Sequence, residues 1–277
     1  MTFLQSTILG IVQGLTEFLP VSSTAHLKIA EALLGIPRDD PFLTSFDVVI
    51  QLGTWVSVLI YFRKDLIRMI GGAIQGLRDG KPLETQDGRL LWWVAIGSIP
   101  VGVLGLAFEK RIAVLDEDQH RLLMVIAGSL IVLALFLAWA EWQAKQTRGF
   151  ADLSLVDALV VGTAQALAIV PGVSRSGVTL TAGLFREIKR DVAARFSFLL
   201  SLPAVGAAGF KKLFHLVHHH ELGLGGNRLG LLLWGTLVSG VVGYGVIAWL
   251  LGYLRTRRTT PFVIWRLLVG GALLLWA

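Results

Sequence analysis

The sequence predicts an all-α polytopic membrane protein with six transmembrane helices and two re-entrant helix-loop-helix hairpins arranged as inverted-topology repeats. Three observations carry this prediction: a membrane-like composition, two apolar runs broken by polar tips, and an internal repeat. Of 277 residues 54% are hydrophobic and only 16% charged, with a mean hydropathy of +0.68. A soluble domain carries about a quarter charged residues, so the deficit points to lipid as the solvent.

A bilayer crossing needs roughly 20 apolar residues. Six segments meet that length, at 45–62, 90–108, 121–141, 196–214, 229–252 and 261–277. The first interrupted stretch runs over 3–19, stops at Pro20 and resumes over 24–35. The second runs over 153–170, stops at Pro171-Gly172 and resumes over 176–185. Each piece is too short to cross, and Pro and Gly disrupt the helix at the join. Irregular backbone at membrane depth persists only where it is buried in protein or lines a cavity. Met1-Thr2-Phe3-Leu4 has neither a basic region nor a small-residue cleavage site, so it is read as part of the fold.

The repeat is visible in the residues themselves. Gly10-Ile-Val-Gln-Gly-Leu-Thr-Glu-Phe-Leu-Pro-Val-Ser-Ser-Thr24 lies over Gly162-Thr-Ala-Gln-Ala-Leu-Ala-Ile-Val-Pro-Gly-Val-Ser-Arg-Ser176 at a constant offset of 152. Gly10/Gly162, Gln13/Gln165, Val21/Val173 and Ser22/Ser174 coincide. We therefore read residues 1–277 as a single integral membrane domain with repeats at 1–150 and 151–277. One hairpin and three spans per repeat make an odd number of crossings, which inverts the second copy. Inverted repeats with discontinuous helices place a binding site near the midplane.

The net charge of +6 would raise nucleic acid as a partner of a soluble protein. Here Lys and Arg concentrate in the 63–89 connection and after the third span, the second hairpin and the fifth span. That asymmetry follows the positive-inside rule, makes those loops cytoplasmic and leaves no nucleic-acid partner expected. Cysteine is absent, which excludes disulfides and thiolate metal sites.

The chemistry is expected at the two breaks. Gln13 and Glu17 share a helix face four residues apart, and an intramembrane carboxylate is a functional candidate by default. Ser22-Ser23-Thr24 follow Pro20, with His26 nearly one turn beyond Ser23. The second break, Pro171-Gly172-Val173-Ser174-Arg175-Ser176, puts an arginine and two hydroxyls at the start of a half-helix. Helix N-termini attract anions, and arginine adds a fork matched to phosphate oxygens. If the tips meet, they form a phosphoryl-group pocket rather than a mere buried Arg–Glu pair. Arg266 inside the last apolar run reads as a hydrogen-bonded or snorkelling residue. His218-His219-His220-Glu221 reads as an external loop. Asp47 and Gln51 are candidates to support the site from behind. The nine tryptophans read as interfacial or lipid-facing.

The stretch Gln13-Gly-Leu-Thr-Glu17-Phe-Leu-Pro-Val-Ser-Ser-Thr24-Ala-His26 resembles the (E/Q)xxxE signature region of the bacterial undecaprenyl-pyrophosphate phosphatases, the bacitracin-resistance family. Pro171-Gly-Val-Ser-Arg-Ser-Gly-Val-Thr179 resembles that family's PGxSRSxxT motif, and the likeness extends over nearly the whole chain. Gln13 stands where many members have Glu, which keeps a hydrogen-bonding amide and removes a charge. The resemblance implies hydrolysis of undecaprenyl pyrophosphate to undecaprenyl phosphate at the outer face of the inner membrane, recycling the carrier for peptidoglycan synthesis. It further implies dependence on a divalent cation, Mg2+ or Ca2+, a polyprenyl pyrophosphate partner in the lipid bilayer, and room for a homodimer.

On this basis Arg175 is expected to clamp the phosphate and Glu17 to act as general base or hold the metal. Ser23 or a Glu17-activated water is the nucleophile, and His26 an auxiliary acid/base. Gln13, Ser22, Thr24, Gly172, Ser174, Ser176 and Thr179 are expected to bind the substrate. The rival reading is a polyprenyl-phosphate transporter or flippase using the same anion site, and a third is a non-catalytic receptor for a phosphorylated lipid.

Overall fold

The computed structural model describes residues 1–37, 41–218 and 227–276, and it is all-helical in architecture. Its helices, in order, are α1 (Phe3–Thr16), α2 (Ser23–Leu33), α3 (Pro41–Val49), α4 (Gln51–Tyr61), α5 (Arg63–Arg78) and α6 (Gln86–Glu117). They continue with α7 (Gln119–Gln143), α8 (Leu155–Ala166), α9 (Arg175–Phe185), α10 (Arg190–His218), α11 (Arg228–Thr256) and α12 (Thr260–Trp276). Five helical stretches are long and apolar enough to cross a membrane: Phe42–Tyr61, Gln86–Phe108, Gln119–Gln143, Arg190–Leu216 and Arg228–Thr256. The sixth expected span, α12, is a shorter apolar helix of 17 residues among the described residues.

Both interrupted runs are broken where the sequence predicts. α1 and α2 flank one break and pack on each other; α8 and α9 do the same at the other. The starts of the two pairs match at the repeat offset. Thr2 caps α1 in a reciprocal box with Gln5, and Ser154 caps α8 in a reciprocal box with Asp157. Such a box satisfies two otherwise orphaned backbone donors. Packing is exchanged between the halves: α1 lies along α11, while α8 lies along α6.

The structure departs from the sequence reading in three further places. The 63–89 connection is not a loop, because α5 carries a two-sided pattern. Met69, Ala73 and Gly76 face inward, and Ile67, Ile70, Ile74 and Leu77 stay exposed. Such a helix suits the plane of a membrane interface. The first span is two helices broken at Ile50, although no proline marks the place. The backbone beyond residue 108 stays helical to Glu117 instead of opening into a loop. His219, His220 and Glu221 lie outside the described residues.

The tryptophan expectation holds in part. Trp139, Trp142, Trp234 and Trp249 are exposed on long helices. Trp93 is buried and donates to the Leu153 carbonyl at 3.3 Å. Trp55 donates to the Leu202 carbonyl at 2.9 Å, beside Pro203 within α10.

Several basic residues behind the charge asymmetry are held in ion pairs. Asp157 is fully buried and is held at once by Arg148 (2.8 and 2.5 Å) and Arg186 (2.7 Å). Burial alone would raise its pKa, but the hydrogen bonds from Arg148, Ser154 and Arg186 outweigh it and hold the carboxyl well below the usual range. A depressed folded-state pKa contributes stability that is complete at neutral pH and is lost only as pH falls through the acid range. Arg190 is likewise paired with Glu141, which also accepts from Thr259 Oγ1 at 2.9 Å.

Candidate active site

The two breaks meet at a cavity of about 620 Å³. The first contributes Glu17, Ser22, Ser23 and Thr24; the second contributes Gly172, Ser174 and Arg175. Gln51 of α4, Ser98 of α6, Gln165 and the 168–170 segment after α8, and Pro203 and Lys211 of α10 complete much of the wall.

The local chain explains how polar groups arrive there. After α1 a tight turn forms, with Val21 N–H donating to the Leu19 carbonyl at 2.7 Å. Ser22 then adopts φ +76° and its Oγ caps α2. At the second break Val173 N–H donates to the Val170 carbonyl at 3.2 Å, and Ser174 adopts φ +66° with its Oγ capping α9. Two non-glycine residues in this sparsely populated region, at equivalent places in the two halves, cost on the order of 1–3 kcal/mol each. Strain of this kind clusters at ligand clamps. Gly172 has φ +88°, and a methyl group there would lie 2.7 Å from the Ile126 backbone, so only glycine fits. Ser23 and Arg175 are the first residues of α2 and α9, beside free backbone donors and the positive dipole ends.

Glu17 is the hub. One carboxylate oxygen accepts from Gln13 Nε2 and from Ser23 Oγ, both at 2.8 Å. The other pairs with the Arg175 guanidinium across the breaks. The arrangement contains a serine hydroxyl within reach of a carboxylate base and an arginine able to neutralise phosphoryl charge. Gln13 is fully buried, and its Oε1 has no hydrogen-bond partner.

Four expected site residues do not line the cavity: Gln13, which lies behind Glu17, and His26, Ser176 and Thr179, which hold the scaffold. His26 Nδ1 donates to the Ser22 carbonyl at 2.8 Å, and Nε2 accepts from Trp265 Nε1 at 2.8 Å. Both ring nitrogens are thus engaged within the fold. Ser176 Oγ donates to the Leu19 carbonyl at 2.9 Å and ties the second tip to the first. Thr179 Oγ1 donates to the Arg175 carbonyl at 2.7 Å and meets Ser197 Oγ at 2.6 Å, anchoring α9 on α10. Of the two candidates behind the site, Gln51 lines the cavity. Asp47 is taken by Lys28 at 2.9 Å, which also holds Glu31 at 3.0 Å.

The sequence marked Arg266 as buried or snorkelling, and the structure gives it more to do. Its side chain is fully buried. It donates to the carbonyls of Pro20 (3.2 Å), Gly172 (3.4 Å) and Val173 (3.4 Å), and to Leu130 (3.1 Å) and Ser129 (3.2 Å) of α7. One guanidinium therefore pins both breaks to α7. Backbone carbonyl partners leave no signature in sequence, so this function is not legible there. Arg266→Met leaves those buried acceptors short of a donor, at about 1–3 kcal/mol per unsatisfied group. We expect a thermal midpoint lower by roughly 10 °C in detergent, with little recovery in Arg266→Lys, which lacks the fork. An unchanged midpoint would show the clamp to be dispensable.

Among the described residues no group of three or more His, Asp or Glu gathers. Mg2+ commonly takes one or two carboxylates plus substrate phosphates and waters. Glu17, a carboxylate on the cavity wall, fits that requirement as the protein's one oxygen ligand, whereas Gln13 is not part of the wall and already donates to Glu17.

Comparison with known proteins gives one consistent result. The family model described as bacitracin resistance protein BacA matches residues 6–272. The chain is 49% identical to an undecaprenyl-diphosphatase of Chloroherpeton thalassium, covering 99% of this chain and 96% of that protein. It is 48% identical to one of Myxococcus xanthus (99% and 89% covered) and 46% identical to one of Chlorobium phaeobacteroides (99% and 96%).

Proposed function

The chain belongs to the bacitracin resistance protein BacA family, and from that premise we propose that it is an integral membrane hydrolase that removes the terminal phosphate of undecaprenyl pyrophosphate. The product, undecaprenyl phosphate, is the lipid carrier reused in peptidoglycan synthesis. The names of its relatives favour this phosphatase reading over the flippase alternative. The observation that carries it in the molecule is the single cavity where Glu17 and Ser23 face Ser174 and Arg175.

In this reading Ser23 Oγ gives its proton to Glu17 and attacks the terminal phosphorus. The bond from that phosphorus to the bridging oxygen breaks, and undecaprenyl phosphate leaves. Water then attacks the phosphoserine, releasing inorganic phosphate and restoring Ser23. Arg175, freed from Glu17 by the incoming anion, neutralises charge on the equatorial oxygens, since phosphoryl transfer is mostly positioning plus electrostatics. In its alternative role Glu17 would hold a Mg2+ or Ca2+ ion, which supplies further charge neutralisation when bound. Thr24, Ser22, Ser174 and Gly172 shape the anion pocket, while His26, Ser176 and Thr179 hold it in place.

The architecture we assign is six crossings with two re-entrant helix pairs, in inverted repeats over 1–150 and 151–277. The exchanged packing of α1 on α11 and α8 on α6 supports it, as do the matched caps and the paired positive-φ serines. The excess of Lys and Arg on one side supports a site open to the periplasmic face of the inner membrane.

Purified protein with undecaprenyl pyrophosphate should release phosphate over many turnovers. Stoichiometric binding without release would end the enzyme reading, and uptake of intact lipid into sealed vesicles would favour transport. For the covalent route, a radiolabelled phosphoenzyme trapped by acid quench should vanish in Ser23→Ala. Full activity in that variant would leave a Glu17-activated water as the nucleophile.

A further inference from the structure

Gln165 on α8 stands at the repeat offset from Gln13, but its situation differs. Its side chain is fully buried, and neither Oε1 nor Nε2 has a hydrogen-bond partner. It also lines the cavity with Glu17, Ser23 and Arg175. Gln13 gives its Nε2 to Glu17; the position equivalent to Glu17 in the second half is Ile169, which has nothing to accept. A buried amide without partners is destabilising by about 1–3 kcal/mol relative to a satisfied one. A leucine or methionine of similar size would avoid that cost. A buried, unpartnered amide behind the wall of a cavity that holds Glu17 and Arg175 is therefore a candidate ligand contact, reached when a ligand fills that cavity.

The surroundings indicate which part of a ligand it meets. Gln165 is one turn from Ala168, Ile169 and Val170, which are among the apolar residues of the wall. Val170 also lines a second cavity of about 380 Å³, bounded by Val132, Leu133, Phe136 and Leu167. An apolar tail leaving the first cavity past Val170, the residue the two cavities share, would pass beside α8. Glu17, Ser23, Ser174 and Arg175 gather on the two tips. The group nearest the tail is thus within the reach of Gln165, and the group farthest from it within the reach of the tips.

We propose that Gln165 is a substrate-binding residue whose Nε2 donates to an oxygen of the phosphate that remains on the lipid, while the tips engage the terminal phosphate. This assignment rests on the diphosphatase reading. It gives the site a neutral contact to the leaving group and makes Gln165 a determinant of affinity for a diphosphate over a shorter anion.

The test is steady-state hydrolysis of undecaprenyl pyrophosphate by full-length wild type, Gln165→Leu, Gln165→Met and Gln165→Glu. Loss of one hydrogen bond should raise KM roughly tenfold in the Leu and Met variants. Their kcat should fall less than KM rises, since most of the contact is already made in the ground state and only the charge gained by the leaving phosphate strengthens it in the transition state. Their thermal midpoints should not fall, because an unpartnered amide has been replaced. Gln165→Glu should raise KM further through repulsion of the phosphate. Unchanged KM in the Leu and Met variants overturns the proposal, as does loss of folding in all three, which would mark a packing residue. A wild-type protein that releases no phosphate instead removes the diphosphatase reading itself.

Discussion

Arg175→Ala should slow phosphate release on the order of 10²–10³-fold, the equivalent of about 2.7–4 kcal/mol of transition-state stabilisation. The guanidinium sits at the start of α9, where the helix dipole already favours an anion. In the resting protein it is paired with Glu17, so it is desolvated and pre-aimed before substrate arrives. Preorganised charge of this kind needs little rearrangement at the moment of reaction. Arg175→Lys keeps the charge but loses the planar fork, so it should recover only part of the rate. Single-turnover phosphate release at saturating substrate, with thermal midpoints as a folding control, measures both. Turnover near wild type in the alanine variant would rule out the clamp.

Glu17→Gln is expected to be at least as severe, with kcat lower by roughly 10²–10⁴-fold. The carboxylate makes three contacts at once, to Gln13, Ser23 and Arg175. An amide of nearly the same shape can still accept a hydrogen bond from Ser23, but it cannot take up the proton. It also leaves Arg175 without its counter-charge. KM should therefore change less than kcat, because the lost function belongs to the reacting proton. A Glu17→Gln enzyme with normal kcat would assign the base elsewhere.

Much of this was legible in the sequence because the breaks announce themselves. Pro20 and Pro171-Gly172 interrupt apolar runs at equivalent positions, and the structure begins α2 at Ser23 and α9 at Arg175. Glu17, Ser23 and Arg175 meet as the motif spacing suggested, because each lies within one turn of its break. What the motif could not show is which neighbours of these residues point elsewhere. Ser176 and Thr179 lie on the face of α9 that packs against the first tip and α10. The clamp by Arg266 depends on backbone carbonyls of three elements distant in sequence. The helix α5 was hidden because its basic residues suggested a loop, although its exposed isoleucines recur at helical spacing. The break at Ile50 has no local marker at all.

In the proposed mechanism the asymmetry of the two halves is central. The first tip supplies the carboxylate and the hydroxyl; the second supplies Arg175 at the place of Ser23 and Ile169 at the place of Glu17. If base, nucleophile and clamp act as one unit across the breaks, their losses cannot multiply. Residues that act as a unit show strong non-additivity in paired substitutions. The decisive measurement is kcat/KM of the double variant Glu17→Gln with Arg175→Ala, set beside each single variant. The joint-site account predicts a value within about threefold of the worse single variant. Losses that multiply would contradict it and separate the two tips into independent sites.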